Sequence, residues 1–184
     1  MGPLSRPLPR AALLTGERGV GKTALCRELA QNGSRFTGVI SPALFDGEGR
    51  KVGFSALCLS SGEQWELGRS DAPLGGPIFG KHSFSVEGIA RALNCLREAL
   101  ARRDAVVIVD EIGPLEMQRG AGFSPIFPVL AGSGDLLLVT RPGLAARVAG
   151  LLPKHRTEVF LLTPDTREEV ASQILKFLGF FYSC

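Results

Sequence analysis

The stretch that most limits what this chain can become is Gly16-Glu17-Arg18-Gly19-Val20-Gly21-Lys22-Thr23, which follows the apolar run Ala11-Ala12-Leu13-Leu14-Thr15. Its glycines let the backbone turn with no Cβ in the way, so that successive amide N–H groups can face one anion. The spacing is G-x-x-x-x-G-K-[ST], in the context such a loop needs: a strand-like run before it and a helical pattern after it, from Thr23 to about Asn32. A helix that begins there adds its positive N-terminal end to the same place. Lys22 then supplies a mobile ammonium for the outer phosphates of a nucleotide, and the Thr23 hydroxyl a ligand for Mg²⁺. The expected nucleotide-binding residues are thus Gly16, Glu17, Arg18, Gly19, Val20, Gly21, Lys22, Thr23 and Ala24. A Gly-rich turn with a surface lysine is the plain alternative.

A second motif weighs against that alternative. Ala105-Val106-Val107-Ile108-Val109 is a continuous β-branched run, as expected of a strand buried on both faces of a parallel sheet, and it ends in Asp110-Glu111. An apolar strand closing on an acid is the Walker B pattern, in which Asp110 holds Mg²⁺. Glu111, one residue further on, is placed to orient or deprotonate a water attacking the γ-phosphate; a surface glutamate is the alternative.

The 184 residues, 45% of them apolar, suit one domain spanning 1–184 with a full core. The formal charge is +3 with both signs interspersed, so no nucleic-acid stripe and no polybasic membrane patch is indicated. The proline-broken start and short apolar run make neither a signal peptide nor a membrane span, which predicts a soluble, cytoplasmic protein. The four cysteines, Cys26, Cys58, Cys95 and Cys184, form no Cys-x-x-Cys pair and read as free thiols rather than disulfides or a zinc site.

Along the chain, Phe36 to Ile40 reads as a second strand, and Ala43 to Leu59 as a hairpin around an Asp-Gly turn, followed by a strand at Gln64 to Leu67. Residues 68–81, rich in glycine and proline, read as an irregular loop, either a lid or a solvated connector. Ser85 caps a helix to about Arg103, with Ile89, Leu93, Leu96 and Leu100 on one face. Ser124-Pro125 opens a short helix, and Asp135 to Thr140 is another buried strand. Thr140 stands where a phosphate sensor or a mere turn residue would sit, and Arg141 either contributes transition-state charge or is solvated or paired with a carboxylate. Leu144 to Leu152 is a short helix, Thr157 to Leu162 a last strand, and Thr163-Pro164 caps a terminal helix. The aromatic end, Phe177 to Tyr182, packs on the sheet or meets a partner. This alternation predicts a three-layer α/β sandwich with a mostly parallel sheet and an antiparallel hairpin insertion.

Thr15 to Thr23, Arg50-Lys-Val-Gly-Phe54 and Val109-Asp-Glu-Ile-Gly-Pro-Leu-Glu116 together resemble the THEP1-type nucleoside-triphosphatases, over about residues 11–178. The resemblance implies a RecA-like P-loop NTPase fold and Mg²⁺-dependent hydrolysis of ATP, GTP and other nucleoside triphosphates with loose base preference. It makes Glu111 the catalytic acid, leaves a role for Glu116 open, and matches a Thr-x-x-x-Arg stretch to Thr163 and Arg167, with Arg167 as a base or ribose contact. The chain departs from the family where Thr-Glu-Glu-Val-Arg is usual, carrying Ser41-Pro42-Ala43-Leu44-Phe45 instead.

The leading expectation is a slow nucleoside-triphosphatase, a monomer or weak homo-oligomer, with Lys22 and Glu111 catalytic and Thr23 and Asp110 on the metal. A nucleoside or small-molecule kinase and a nucleotide-dependent binding switch are the alternatives.

Overall fold

A computed structural model of the chain describes residues 7–33 and 35–180. From the first strand onward the order is β1 (Arg10–Thr15), α1 (Lys22–Asn32), β2 (Phe36–Ile40), β3 (Ala43–Phe45), β4 (Lys51–Cys58), β5 (Gln64–Arg69), β6 (Gly75–Phe79) and β7 (His82–Ser85). There follow α2 (Val86–Ala101), β8 (Val106–Ile112), α3 (Pro114–Arg119), α4 (Phe127–Leu130), β9 (Asp135–Thr140), α5 (Ala145–Ala149), β10 (Arg156–Leu161) and α6 (Arg167–Phe177).

Among the described residues, ten strands join one sheet in the order β10-β1-β9-β8-β2-β4-β5-β7-β6, with β3 paired to β4. The core of the sheet, β10 to β2, is parallel throughout. From β4 onward every pairing is antiparallel, so the expected hairpin proves to be the start of a longer antiparallel wing. The wing includes Gly75–Phe79 as β6, a correction to the irregular loop expected over 68–81. Glycine and proline hide the strand in sequence, and Pro77 is accepted because β6 is the edge of the sheet, where a missing N–H costs no ladder bond.

Period-two alternation divides the parallel strands between two cores. Ala11, Leu13, Val107, Val109, Leu136 and Leu138 pack under α2 and α5, whereas Ala12, Leu14, Val106, Ile108, Leu137 and Val139 pack under α1 and α6. Each such leucine or isoleucine contributes about 1.5–3 kcal/mol relative to exposure. Within β2, Gly38 has φ 105°, and a Cβ there would run into the Ile108 carbonyl, so only glycine lets β2 lie against β8.

Ser85 caps α2 as expected, its hydroxyl accepting from Gly88 N at 2.9 Å. The terminal helix starts later than the expected cap: Thr163 N donates to Thr166 Oγ1 at 3.0 Å in a turn, and α6 follows at Arg167. A disulfide joins Cys58 on β4 to Cys95 on α2, which corrects the expectation of free thiols. Packing α2 across the sheet brings their Cα atoms to 6.2 Å, a proximity that 37 residues of separation conceal. Cys26 is free and buried. At the aromatic end, Phe177 meets Phe160 edge-on at 5.6 Å and Phe180 stacks on Phe36 at 5.0 Å. Phe181, Tyr182 and Cys184 lie outside the described residues. Among the described residues no helix is long and apolar enough to cross a membrane.

Candidate active site

β1 delivers the chain into the loop at the carboxyl end of the parallel strands. Gly16, Gly19 and Gly21 take φ of 151°, 83° and 104°, and a Cβ on Gly16 would stand 2.5 Å from the Leu162 carbonyl. The loop therefore needs glycine at its first bend on two counts, backbone angle and space. α1 begins at Lys22, one residue before the expected Thr23. The Lys22 ammonium folds back onto the loop, donating to the carbonyls of Gly16 at 2.7 Å and Glu17 at 2.9 Å. Burial pushes its pKa down, opposed by the charges of Glu111 and Asp110.

The sheet order sets β8 two strands from β1, with β9 between them, so the acid pair faces the loop across one strand end. Asp110 and Glu111 are joined by a cis peptide bond. Asp110 is only 2% exposed. Ser41 N donates to its Oδ2 at 3.0 Å, and the Ser41 hydroxyl donates to its carbonyl. Burial raises the Asp110 carboxyl to about 6, against the pull of the Ser41 N–H, the facing Thr23 hydroxyl and Lys22. Glu111 is more open, and Arg141 Nη2 lies 3.2 Å from its Oε1.

Behind them Glu116 closes the turn from β8 into α3. Its Oε2 accepts from Gly113 N at 2.9 Å and its Oε1 from Phe123 N at 3.2 Å, a capping interaction that also pins the following loop. Burial raises this carboxyl to about 7. The open role of Glu116 is thus to hold the turn that carries Glu111.

One hollow of about 1010 Å³ is lined by Gly16, Lys22, Thr23, Ala24, Asp110 and Glu111 together, with Glu17, Arg18, Gly19 and Gly21 at the loop side. Val20 instead turns into the core beneath α1. Arg167 is not among the lining residues. Its guanidinium reaches Glu28 Oε2 at 2.8 Å and stops 3.5 Å from the Gly21 carbonyl, at the rim of the loop. Thr140 is fully buried and donates to Ile112 O at 2.8 Å, which corrects the sensor alternative: its hydroxyl is spent on the β8 backbone. Arg141 takes the carboxylate-paired alternative.

Sequence reasoning misses Ser41, which reads there only as a departure from a family pattern. Its signal was its place directly after β2, the strand neighbouring the acid-bearing one.

The NTPase family model matches residues 11–175. The chain belongs to the family of THEP1-type NTPases. It is 30% identical to the nucleoside-triphosphatase THEP1 of Methanopyrus kandleri over 175 residues, 92% of this chain and 95% of that one. With THEP1 of Thermococcus kodakarensis it shares 36% identity over 133 residues, 68% and 73% of the two chains. The crystal structure of THEP1 from Aquifex aeolicus superimposes with a TM-score of 0.67 at 22% identity, covering 92% of this chain and 99% of that one. The solution structure of a human cancer-related nucleoside triphosphatase does so with 0.68 at 24%, covering 95% and 100%. The two solved structures share the fold, while the family model and the sequence relatives carry the membership.

Proposed function

We propose that this chain hydrolyses nucleoside triphosphates, ATP and GTP among them, to diphosphate and phosphate, with Mg²⁺, slowly and with little preference for the base. The observation that carries the reading is the convergence of Lys22, Thr23, Asp110 and Glu111 on one hollow. The loop backbone and the start of α1 offer amides and a positive helix end to the phosphates. Lys22, held on two loop carbonyls, is the cation that exchanges those contacts for phosphate oxygens.

A buried carboxylate facing a threonine hydroxyl is a donor set that suits a hard divalent cation, so Thr23 and Asp110 would hold Mg²⁺. Bound there, it supplies charge neutralisation at the phosphate oxygens. Glu111 receives the proton of the attacking water as the new P–O bond forms and the diphosphate leaves. Its partner Arg141 is engaged with that carboxylate rather than standing free as a transition-state cation, which is the reason for slow turnover. The reading takes the chain as a cytoplasmic monomer or weak homo-oligomer that needs no nucleic acid.

Phosphate release from a panel of nucleoside triphosphates, with and without Mg²⁺, tests it in the wild type and in Glu111→Gln. Equal rates for the two proteins would remove Glu111 from the mechanism. No release from any triphosphate would overturn the hydrolase reading.

A further inference from the structure

The hollow's volume of about 1010 Å³ lies at the top of the roughly 300–1,000 Å³ range typical of a pocket for one small molecule. The phosphate loop and the acid pair occupy only one part of it. Because β4, β5, β7 and β6 extend the sheet beyond β2, a second wall rises on the far side of Asp110 and Glu111 from β1. It is made by Phe45, Lys51, Phe54, Phe79, Lys81 and His82.

Two hairpins present these side chains in like fashion. Phe45 is paired with Lys51 at the end of β3–β4, and Phe79 with His82 at the end of β6–β7, with Lys81 in the turn. Phe54 ties the two together, its ring centroid 5.2 Å from that of His82 and 5.5 Å from that of Phe84. Phe45 is nevertheless 62% exposed, a large ring left uncovered at the mouth of a pocket.

Lys51 and Lys81 stand on this wall, and Arg18 lines the same hollow from the phosphate loop. Burial, and after it the charges of Lys81, Arg18 and Lys51, hold the His82 imidazole below its ordinary range, and all three cations line the hollow that His82 lines. Among the described residues none of the three has an ion-pair partner. Uncompensated cations beside uncovered aromatic rings match a ligand that carries both an anion and a flat ring: the ring stacks and the anion takes charge-assisted hydrogen bonds.

We infer that this lobe binds a second small molecule of the nucleoside-monophosphate class, its base against Phe45 and Phe79 and its phosphate among Arg18, Lys51 and Lys81. The inference rests on the proposed function in one respect, that the triphosphate occupies the loop at Lys22. The two ligands then sit on either side of Glu111, phosphate facing phosphate.

Calorimetric titration tests this on the full chain loaded with Mg²⁺ and a non-hydrolysable triphosphate analogue, with adenosine monophosphate, adenosine and inorganic phosphate as separate titrants. The monophosphate is expected to bind the loaded protein, one per chain, at least about tenfold more tightly than either of its parts. The double variant Lys51→Gln/Lys81→Gln is expected to weaken it by about tenfold or more, and Phe45→Ala independently by several-fold, with thermal melts showing both variants folded. Competition between monophosphate and analogue, no binding to the loaded protein, or undiminished binding by the double variant would each overturn the inference. Phosphate release from ATP is followed in parallel: hydrolysis without monophosphate binding defeats this inference alone, and binding without hydrolysis defeats only the proposed function.

Discussion

Arg141 Nη2 lies 3.2 Å from Glu111 Oε1, so the carboxylate proposed to handle water is tethered from the neighbouring strand end. The two side chains are 46% and 35% exposed, which limits the pair's contribution to stability to about 1 kcal/mol or less. Its effect is on orientation: Glu111 follows directly on the buried Asp110 but is itself open to the hollow.

Arg141→Ala is therefore expected to lower kcat by up to about a hundredfold, the scale of a group misplaced by an ångström, with KM little changed. Thermal unfolding should be nearly unaltered. Steady-state phosphate release and a melting curve check both halves, and an unchanged kcat would show that Glu111 is oriented without its tether.

Removing the carboxylate itself should cost more. Glu111→Gln is expected to lower kcat by about 10²–10⁴-fold, the usual worth of a positioned base, while nucleotide affinity measured by calorimetry stays close to wild type.

Gly16→Ala confronts two obstacles, a φ of 151° and a carbonyl 2.5 Å from the new Cβ. A loss of about 1–3 kcal/mol in urea unfolding is expected, together with loss of triphosphate binding as the loop shifts away from Leu162. Wild-type stability and affinity would mean that the loop tolerates a different path.

Glu116 makes stability depend on pH. Its carboxyl is raised from 4.5 to about 7 in the folded chain, so the folded state holds the proton more tightly than the unfolded one. The stabilisation is fully present below the unfolded value and is lost as pH rises through about 7. Glu116→Gln should flatten the fall in stability across that window. It should also cost about 1–3 kcal/mol, since Gln sets an NH₂ donor in place of one of the two oxygens that accept from Gly113 N and Phe123 N. Urea titrations at several pH values read out both effects.

Chelation of divalent ions should abolish phosphate release, with activity restored by added Mg²⁺. Thr23→Ala, which removes the hydroxyl facing Asp110, should raise the Mg²⁺ concentration for half-maximal activity by about tenfold, the equivalent of about 1.4 kcal/mol. An unaltered requirement would remove Thr23 from the metal site.

The amino-acid order by itself determined the parts whose chemistry is local. Gly16 to Thr23 can form only a narrow set of turns, the β-branched run Val106 to Val109 favours a strand buried in a sheet, and Ser85 favours the start of the helix that follows it. Those stretches made the phosphate loop, the acid-bearing strand and most of the parallel core readable in advance. Tertiary structure alone decided what depends on strand order and on elements distant in the chain. Placing β9 between β1 and β8 sent Thr140 to the backbone and Arg141 to Glu111, and carrying the sheet on through β6 turned an apparent loop into an edge. Laying α2 over β4 bonded Cys58 to Cys95, and bringing β2 beside β8 gave Ser41 the Asp110 carboxylate. Side-chain partners such as these are set by which strand lies next to which, and that order comes from burying two hydrophobic faces at once, a condition no single stretch of residues contains.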